Sequence, residues 1–441
     1  MTRPLLLLAH LHAPLKKQIS PLGLVKLKKN NTGKANKPNI SVSLHCRVLR
    51  KLRQYKTDTI AYLHLPEADG VDGHAVEISN ASDAYIILKS KKTMKRSFLK
   101  PILLAAFAIF SLSACSDDEN NTTPQSKPTY DMTGFAKGAD VSWLTEMEKA
   151  GSKFYNASGA EQDCMTLLRD LGVNSIRLRV WVDPQDGWSG KQDVLAKAWR
   201  AKNLGQRIMI DFHYSDSWAD PGKQNIPAAW TGFKDDLQKM KAAVAEHTTD
   251  VLSYLKENGI DVEWIQIGNE TTTGMLWPLG LASDNNFANY AALNNAGYDA
   301  AKAVYPDAQC IIHIDQGNLL GRFTWMFDGL KAAGAKWDVI GMSLYPEDDN
   351  WQTVTDDCLA NISTLAARYN KKVMVCEIGM AWDSKNAAAM MQKMVEGCKA
   401  NASCLGIFYW EPECYGGWKE YNKGAFDTNG KPTATLDAFK K

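Results

Sequence analysis

The sequence lacks the short motifs that mark nucleotide and metal sites. No Gly-x-Gly-x-x-Gly segment follows the first predicted strand, and no P-loop occurs anywhere in the 441 residues, which argues against the nucleotide-binding versions of an α/β fold. The nine cysteines include no Cys-x-x-Cys pair and no Cys/His spacing typical of zinc. Internal repeats are absent too, which argues against a solenoid or propeller.

Clusters of basic residues are also missing from most of the chain. Residues 1–93 hold 16 Lys and Arg against 6 Asp and Glu, whereas 32 basic residues stand against 43 acidic ones from Cys115 onward. Since phosphate contacts need Lys and Arg, we expect no nucleic-acid partner. What the chain does have is 14 tryptophans and 15 tyrosines, and aromatic faces suit the gripping of sugar rings.

A secretory signal lies inside the chain. Residues 94–114 combine a basic start, an apolar run at 102–112 and small residues before Cys115, the pattern of a signal peptide. The ending Leu-Ser-Ala-Cys resembles a bacterial lipobox, which implies that Cys115 is lipidated and is the first mature residue. The alternative is a membrane-spanning or buried helix. It is less favoured, because the apolar run is short for a membrane span.

The predicted lipobox divides the first third of the chain into segments. Residues 116–121 (Ser-Asp-Asp-Glu-Asn-Asn) resemble acidic tags of surface-exposed lipoproteins, so we expect a cell-surface lipoprotein of the outer membrane of a Gram-negative bacterium. Residues 115–133 are predicted to form a flexible tether, followed by a catalytic domain over 134–441. Our hypothesis is that translation starts at Met94 and that residues 1–93 are an untranslated upstream extension.

From about residue 136 the sequence alternates between short β-branched runs and longer helical patterns. Strands alternating with helices pair in parallel, because each return crossover needs a helix. Eight such units in roughly 300 residues predict a (β/α)8 barrel, with a doubly wound open sheet as the alternative. The predicted strands are 138–143, 174–181, 207–213, 262–268, 309–314, 337–344, 372–377 and 405–410, and the predicted helices are 161–171, 192–204, 233–258, 284–304, 322–333, 351–369, 385–400 and 433–441.

In such a barrel, chemistry sits at the carboxyl ends of the strands. The second strand ends with Arg177 and Arg179, which point the same way because strand side chains alternate, so we expect them to pair with acids inside the barrel. The third ends in a dense run of polar and aromatic residues, 211–222, that favours a site around His213.

Two predicted strands end in a glutamate. The fourth ends in Asn269-Glu270 and the seventh in Cys376-Glu377. Two carboxylates flanking a glycosidic bond are the minimum equipment for its hydrolysis, and about 5 Å between them is typical of retaining enzymes. One must hold a proton at neutral pH while the other stays ionised, so their environments must differ.

These strand ends resemble clan A of the retaining glycoside hydrolases and, within it, the family 53 endo-β-1,4-galactanases (arabinogalactan endo-β-1,4-galactosidases). The resemblance spans residues 136 to 430. Asn-Glu alone identifies only the clan, whereas Trp-Ala-Asp-Pro at 218–221 and Leu-Trp-Pro-Leu-Gly at 276–280 narrow it to the family. Its other stretches are 138–142, 176–184, 216–217, 267–270 and 409–412.

The resemblance implies a role for each matching residue. Glu270 corresponds to the acid/base, Glu377 to the nucleophile, Arg177 to the arginine that keeps the nucleophile ionised, and Asn269 to the partner of the sugar 2-hydroxyl. His213 and Tyr345 correspond to walls and Trp410 to the floor of the −1 subsite, and Trp277 to a stacking position for a more distant galactose. Further matching positions near the cleft are Asp140, Asp216, Trp218, His313 and Asp315.

One departure concerns calcium. Some bacterial members carry a calcium-binding insertion after the nucleophile strand, but the loop at 378–383 is short. We therefore expect no required cofactor and no metal site, with a structural calcium ion as the alternative. The implied partners are a galactan or galacto-oligosaccharide substrate and the membrane that holds the lipid anchor, and we expect a monomer.

Two alternatives remain at this point. Another clan A endo-glycosidase, such as a β-mannanase or β-glucanase, would share the clan residues. A non-catalytic glycan-binding surface lipoprotein would share the barrel, although such proteins usually lose a catalytic carboxylate and both strand-end glutamates are present here.

Overall fold

The structure is a computed structural model that describes residues 130–283 and 286–440, together with the backbone of residues 63–64 and 75–76. By contacts the chain divides into two units, Met1–Asn120 and Asn121–Lys441. In the first, the described backbone consists of two short strands, Leu63–His64 and Ala75–Val76, which pair antiparallel. The predicted signal peptide at 94–114 and the lipidation at Cys115 lie outside the described residues and stay predictions. No helix in the described ranges is long and apolar enough to cross a membrane.

The second unit is built on a closed barrel of eight parallel strands. Strand β1 pairs with both β2 and β8, and the ring closes between β5 and β6. This confirms the predicted (β/α)8 barrel, and the open doubly wound sheet is wrong. The strands are β1 (Ala136–Asp140), β2 (Ser175–Val180), β3 (Arg207–Phe212), β4 (Trp264–Ile267), β5 (Gln309–Ile314), β6 (Val339–Leu344), β7 (Lys372–Ile378) and β8 (Cys404–Trp410).

Helices fill the crossovers, with three differences from the sequence prediction. A short helix follows β1 where none was predicted, and the helix predicted from residue 233 begins at Leu237, after a separate 3₁₀ helix, Ala228–Phe233. The predicted final helix is also a 3₁₀ helix, Ala434–Lys440. The α-helices are α1 (Leu144–Lys149), α2 (Cys164–Asp170), α3 (Lys191–Asn203), α4 (Leu237–Glu257), α5 (Ala288–Val304), α6 (Leu320–Ala332), α7 (Trp351–Tyr369) and α8 (Ala387–Ala400).

The barrel interior changes character along its axis. Its amino-terminal half is closed by an apolar plug in which the ring of Phe408 lies over Gly138, where a Cβ atom would come within 2.1 Å of the ring. The plug consists of Ala136, Met209, Trp264, Ile311, Val339, Met374, Cys376 and Phe408. Because the plug fills one end, a ligand can enter only at the carboxyl ends of the strands, where the inward side chains are polar.

Helix α6 packs closely on the segment before α5. A Cβ atom at Gly329 would lie 2.2 Å from the ring of Phe287, which is 5% exposed and also contacts Trp325. A Cβ atom at Gly321, in the first turn of the same helix, would meet nothing within 4 Å. The two glycines therefore differ in packing and share a helical backbone.

We expect Gly329→Ala to destabilise the protein by about 1–3 kcal/mol, since the buried Phe287 ring has little room to move away. Gly321→Ala should be neutral or stabilising by up to about 1 kcal/mol, because alanine loses less backbone entropy than glycine. Denaturant unfolding of the two variants and the parent measures the difference. Equal effects of both substitutions would contradict this packing.

Candidate active site

Arg177 lies at the centre of the polar end of the barrel. From β2, its Nη1 is 2.6 Å from Oδ2 of Asp140, and its Nη2 is 2.9 Å from Oδ2 of Asp211 and 2.9 Å from Oε1 of Glu377. The arginine is 1% exposed. The predicted inward ion pairs are thus confirmed, and one cation serves carboxylates from three other strands.

Two amide side chains complete the surroundings of this arginine. Gln266 accepts from Arg177 through Oε1 and donates from Nε2 to Asp211 at 2.6 Å. Asn269 accepts from Arg177 Nη2 at 2.9 Å, and its own amide donates to the carbonyl of Ala219 at 2.8 Å. The Asn269 side chain is therefore held in one orientation before any ligand binds.

Glu377 faces the barrel interior because of a β-bulge. In β7, Met374 and Cys376 point into the barrel, so simple alternation would turn the next residue outward. The register with β6 shifts between Met342 and Ser343, and this irregularity brings Glu377 inward onto Arg177. Bulges that re-aim a side chain are common beside active sites.

The Glu377 carboxyl has a second partner. The Tyr345 hydroxyl donates to its Oε2 at 2.7 Å. Burial raises the pKa of Glu377 to about 7, while Arg177 and this hydrogen bond oppose the rise. Burial and Glu377 in turn raise the pKa of the Tyr345 hydroxyl well above its ordinary value, so Tyr345 stays a donor.

Glu270 has a different environment. Burial, followed by the charge of Glu377, raises the pKa of its carboxyl well above the ordinary value, and the Ser343 hydroxyl and Arg177 oppose this only in part. Glu377 is directly paired with Arg177 and Glu270 is not, so Glu270 is the carboxyl that keeps the proton. Its backbone has φ of +43°, a left-handed conformation that is costly outside glycine and clusters at functional sites.

His313, in β5, and Asp315, directly after it, lie next to Glu270. His313 is fully buried, and burial and Arg177 hold the pKa of its imidazole well below the ordinary value, so it is neutral. Its Nε2 lies 2.8 Å from the Ser343 hydroxyl. Asp315 is 7% exposed and pairs with Arg322. Both predicted residues therefore lie near Glu270.

His213 lies behind the cleft wall. Its Nδ1 accepts from the indole of Trp181 at 3.2 Å and from the amide of Ala219 at 3.1 Å, which leaves Nε2 to donate to Asp211 at 3.0 Å. The side chain is 2% exposed. The structure therefore places His213 where it orients Asp211 and Trp181, instead of on the open surface of the cleft.

Asp216 and Trp277 lie on the loops that border the cleft. Both carboxylate oxygens of Asp216 accept backbone amides, from Asp183 at 3.0 Å and Ala228 at 2.7 Å, so this side chain ties two loops together. Trp277 is partly exposed, and its backbone amide donates to Gln224 at 2.7 Å.

An aromatic cluster lines the side of the cleft next to Glu377. We use this name for Trp143, Trp218, Trp410 and Tyr421, whose ring centroids lie 4.8–5.9 Å apart in the contacting pairs. All but Trp143 are partly exposed. The predicted Trp218 and Trp410 therefore lie together in one cluster, where they can offer apolar faces to a sugar.

The sequence prediction missed several residues of the site. Trp143, Asp211, Gln266 and Ser343 were not singled out, although strand alternation places the last three on the inward face with their predicted neighbours. Within the described ranges, no group of three or more His, Cys, Asp or Glu side chains is arranged to hold a metal ion.

We expect Arg177→Met to destabilise the protein by about 3–5 kcal/mol near neutral pH, since it leaves three buried carboxylates without their cation. Without the arginine, burial raises the pKa of Asp211 and Glu377 in the folded state, so stability is present at low pH and is lost as pH rises. The penalty should therefore shrink at about pH 5 in urea unfolding. A penalty independent of pH would contradict the charge argument; Arg368→Met, which breaks an exposed pair with Asp328, is the control.

Comparison with known proteins identifies similar sequences among endo-β-1,4-galactanases. The arabinogalactan endo-beta-1,4-galactanase A of Aspergillus niger is 32% identical over 338 residues, which cover 71% of this chain and 89% of that protein. The endo-beta-1,4-galactanase of Bacillus subtilis (strain 168) is 29% identical over 377 residues, covering 69% of this chain and 85% of the relative.

Solved structures and a family model agree. A catalytic domain of family 53 from Ignisphaera aggregans matches with a TM-score of 0.63 and 31% identity, over 69% of this chain and 95% of the other. A fungal β-1,4-galactanase structure matches with a TM-score of 0.65 and 27% identity, over 70% of this chain and all of the other. Since the model described as glycosyl hydrolase family 53 matches residues 136–439, which is the whole barrel, this chain belongs to that family and is a glycoside hydrolase.

Proposed function

We propose that the protein is an endo-β-1,4-galactanase that cleaves galactan and type I arabinogalactan with retention of configuration. The observation that carries the mechanism is the unequal surroundings of Glu270 and Glu377 at one end of the barrel. Only Glu377 is paired with a buried arginine, so the two carboxyls can play opposite parts in one reaction.

The chemistry begins with Glu377 as the nucleophile. Its carboxylate attacks the anomeric carbon and forms a covalent glycosyl-enzyme, while Glu270 donates its proton to the departing glycosidic oxygen. Glu270 then takes a proton from water, which attacks the same carbon and releases the sugar with its original configuration. Asn269, fixed by Arg177 and Ala219, is positioned to bind the 2-hydroxyl of the sugar.

Support for galactan as the substrate comes from relatives. The curated matches in Aspergillus niger and Bacillus subtilis carry the names of endo-β-1,4-galactanases, and the Trp218 and Trp277 segments are those of the family resemblance. A non-catalytic glycan-binding role is the weaker candidate, because both carboxyls are present and face the same cleft.

We also propose where the protein works. The lipobox ending at Cys115 and the acidic segment after it favour a lipid-anchored monomer on the outer cell surface, where long polysaccharides are accessible. The balance of 43 acidic to 32 basic residues from Cys115 onward argues against a nucleic-acid partner. Cleavage is expected to need no cofactor.

The decisive experiment incubates the protein with potato-type galactan, mannan and barley glucan. We expect short galacto-oligosaccharides from the galactan alone, read by chromatography, with the β-anomer appearing first in proton NMR. Glu270→Gln and Glu377→Gln should each lose activity by at least about 10²-fold while giving the circular dichroism of the parent. Hydrolysis of mannan, or an α-anomer as first product, would overturn the proposal.

We expect Tyr345→Phe to shift the acidic limb of the kcat/KM profile to higher pH. The Tyr345 hydroxyl lowers the pKa of Glu377, so its loss raises that pKa and leaves less ionised nucleophile at low pH. The loss of activity should be on the order of tenfold below the shifted limb and smaller above it. Tyr214→Phe, which removes a buried hydroxyl that contacts Thr248, should leave the limb in place; an unshifted limb in Tyr345→Phe would contradict the assignment.

A further inference from the structure

A second buried group of charges lies beside the catalytic one and takes no part in the proposed chemistry. Arg179 in β2 donates from Nη1 to Oε1 of Glu411 at 2.6 Å, and the other oxygen of Glu411 accepts the backbone amide of Trp143 at 3.0 Å. Glu413 contacts the Glu411 carboxyl, and the Lys197 ammonium of α3 interacts electrostatically with Glu411. Arg179, Glu411 and Glu413 are at most 1% exposed, so a substrate cannot reach them.

The Arg179 guanidinium is packed against three indole rings. Its Cζ lies 4.2 Å from the ring centroid of Trp218, 5.2 Å from that of Trp181 and 5.3 Å from that of Trp143. Nε and Nη2 have no hydrogen-bond partner among the described residues. The position of the guanidinium is thus set by Glu411 on one edge and by cation–π contacts with the rings.

Two of the rings connect this buried group to the cleft. Trp143 makes edge contacts with both Trp218 and Trp410, at centroid distances of 5.3 and 5.2 Å. Trp218 and Trp410 are partly exposed, whereas Trp143 is 5% exposed. A shift of Arg179 or of the Trp143 backbone would therefore tilt the aromatic faces that border the cleft.

Glu413 adds a second buried carboxyl beside that of Glu411. Neither oxygen of Glu413 has an N–H or O–H donor from another described residue, yet its carboxyl contacts that of Glu411. Burial and Glu411 raise the pKa of Glu413 well above its ordinary value, and Asp140 adds to this. Cys164 and Cys414 also face it, with their thiol pKa values raised by burial. Burial and the neighbouring Glu411 carboxyl therefore both favour the protonated form of Glu413.

We propose that Arg179, Glu411 and Glu413 are positioning residues for substrate binding in this cleft. The Glu413 O–H donates to Glu411, whose carboxylate holds Arg179 under Trp218 and the backbone of Trp143, and so sets the aromatic cluster. This inference rests on the proposed function, in which the cluster binds a galactan chain. Ionisation of Glu413 at alkaline pH would place two anions side by side and disturb the cluster.

The test measures binding without cleavage. In a Glu270→Gln parent, isothermal titration calorimetry gives the Kd for β-1,4-galactotetraose. Arg179→Lys, which keeps the charge but loses the planar group, should weaken binding on the order of tenfold. In the otherwise native enzyme the same substitution should raise KM and change kcat by no more than about twofold. Arg207→Lys is the matched control, because Arg207 packs on Trp264 and pairs with Glu263 at the start of β3.

Glu413→Gln provides a second, independent measurement. The amide can still donate to Glu411 but cannot ionise, so binding by this variant should stay constant as the pH is raised above neutral, while binding by the parent weakens. Equal pH dependence of the two proteins, or an unchanged Kd in Arg179→Lys, would overturn the inference. A Glu270→Gln parent that does not bind the tetraose at all would instead overturn the proposed substrate, and the inference with it.

Discussion

The ion pairs of Arg177 are the interaction on which the rest of the site depends. Taking a guanidinium and three carboxylates out of water is costly, and the cost is repaid only when geometry and additional hydrogen bonds are good. Here β1, β3 and β7 each supply one carboxylate to the arginine of β2. The opposite end of the barrel is filled by the apolar plug, so the charged side chains gather at the polar end.

One cation among three carboxylates also explains how the two glutamates come to differ. Burial raises the pKa of Glu377 to about 7, while the shared Arg177 and then the Tyr345 hydroxyl oppose the rise and favour the ionised form. Glu270 has no such pair and sits beside the charge of Glu377, which favours its protonated form. A single arrangement thus gives the two carboxyls different surroundings, as the proposed acid and the proposed nucleophile require.

The second arginine of β2 is also buried and paired with a carboxylate, but its partners are different. Arg179 follows Arg177 by two residues and points the same way, but it meets Glu411 and the indole rings in place of the catalytic carboxylates. The two arginines therefore divide the polar end of the barrel between them. Arg177 pairs with Glu377, the proposed nucleophile, and Arg179 packs against the indole rings beside it.

The sequence by itself determined the barrel, the order of its eight strands, and the two glutamates, because hydrophobic periodicity and the residue types at strand ends are local signals. It did not determine which side chains meet. The partners of Arg177 are distant in sequence. The contacts of Glu411 and Glu413 are likewise visible only in the folded structure.

The direction of Glu377 was decided by the tertiary structure alone. Alternation along β7 predicts an outward side chain, and only the register with β6 reveals the bulge that turns it inward. Similarly, His213 and Asp216 stand in a segment whose composition favours a site, but their hydrogen bonds tie them to Asp211 and to loop backbone. Composition can be read directly from the sequence, whereas strand register and hydrogen-bond partners are established only when distant segments pack together.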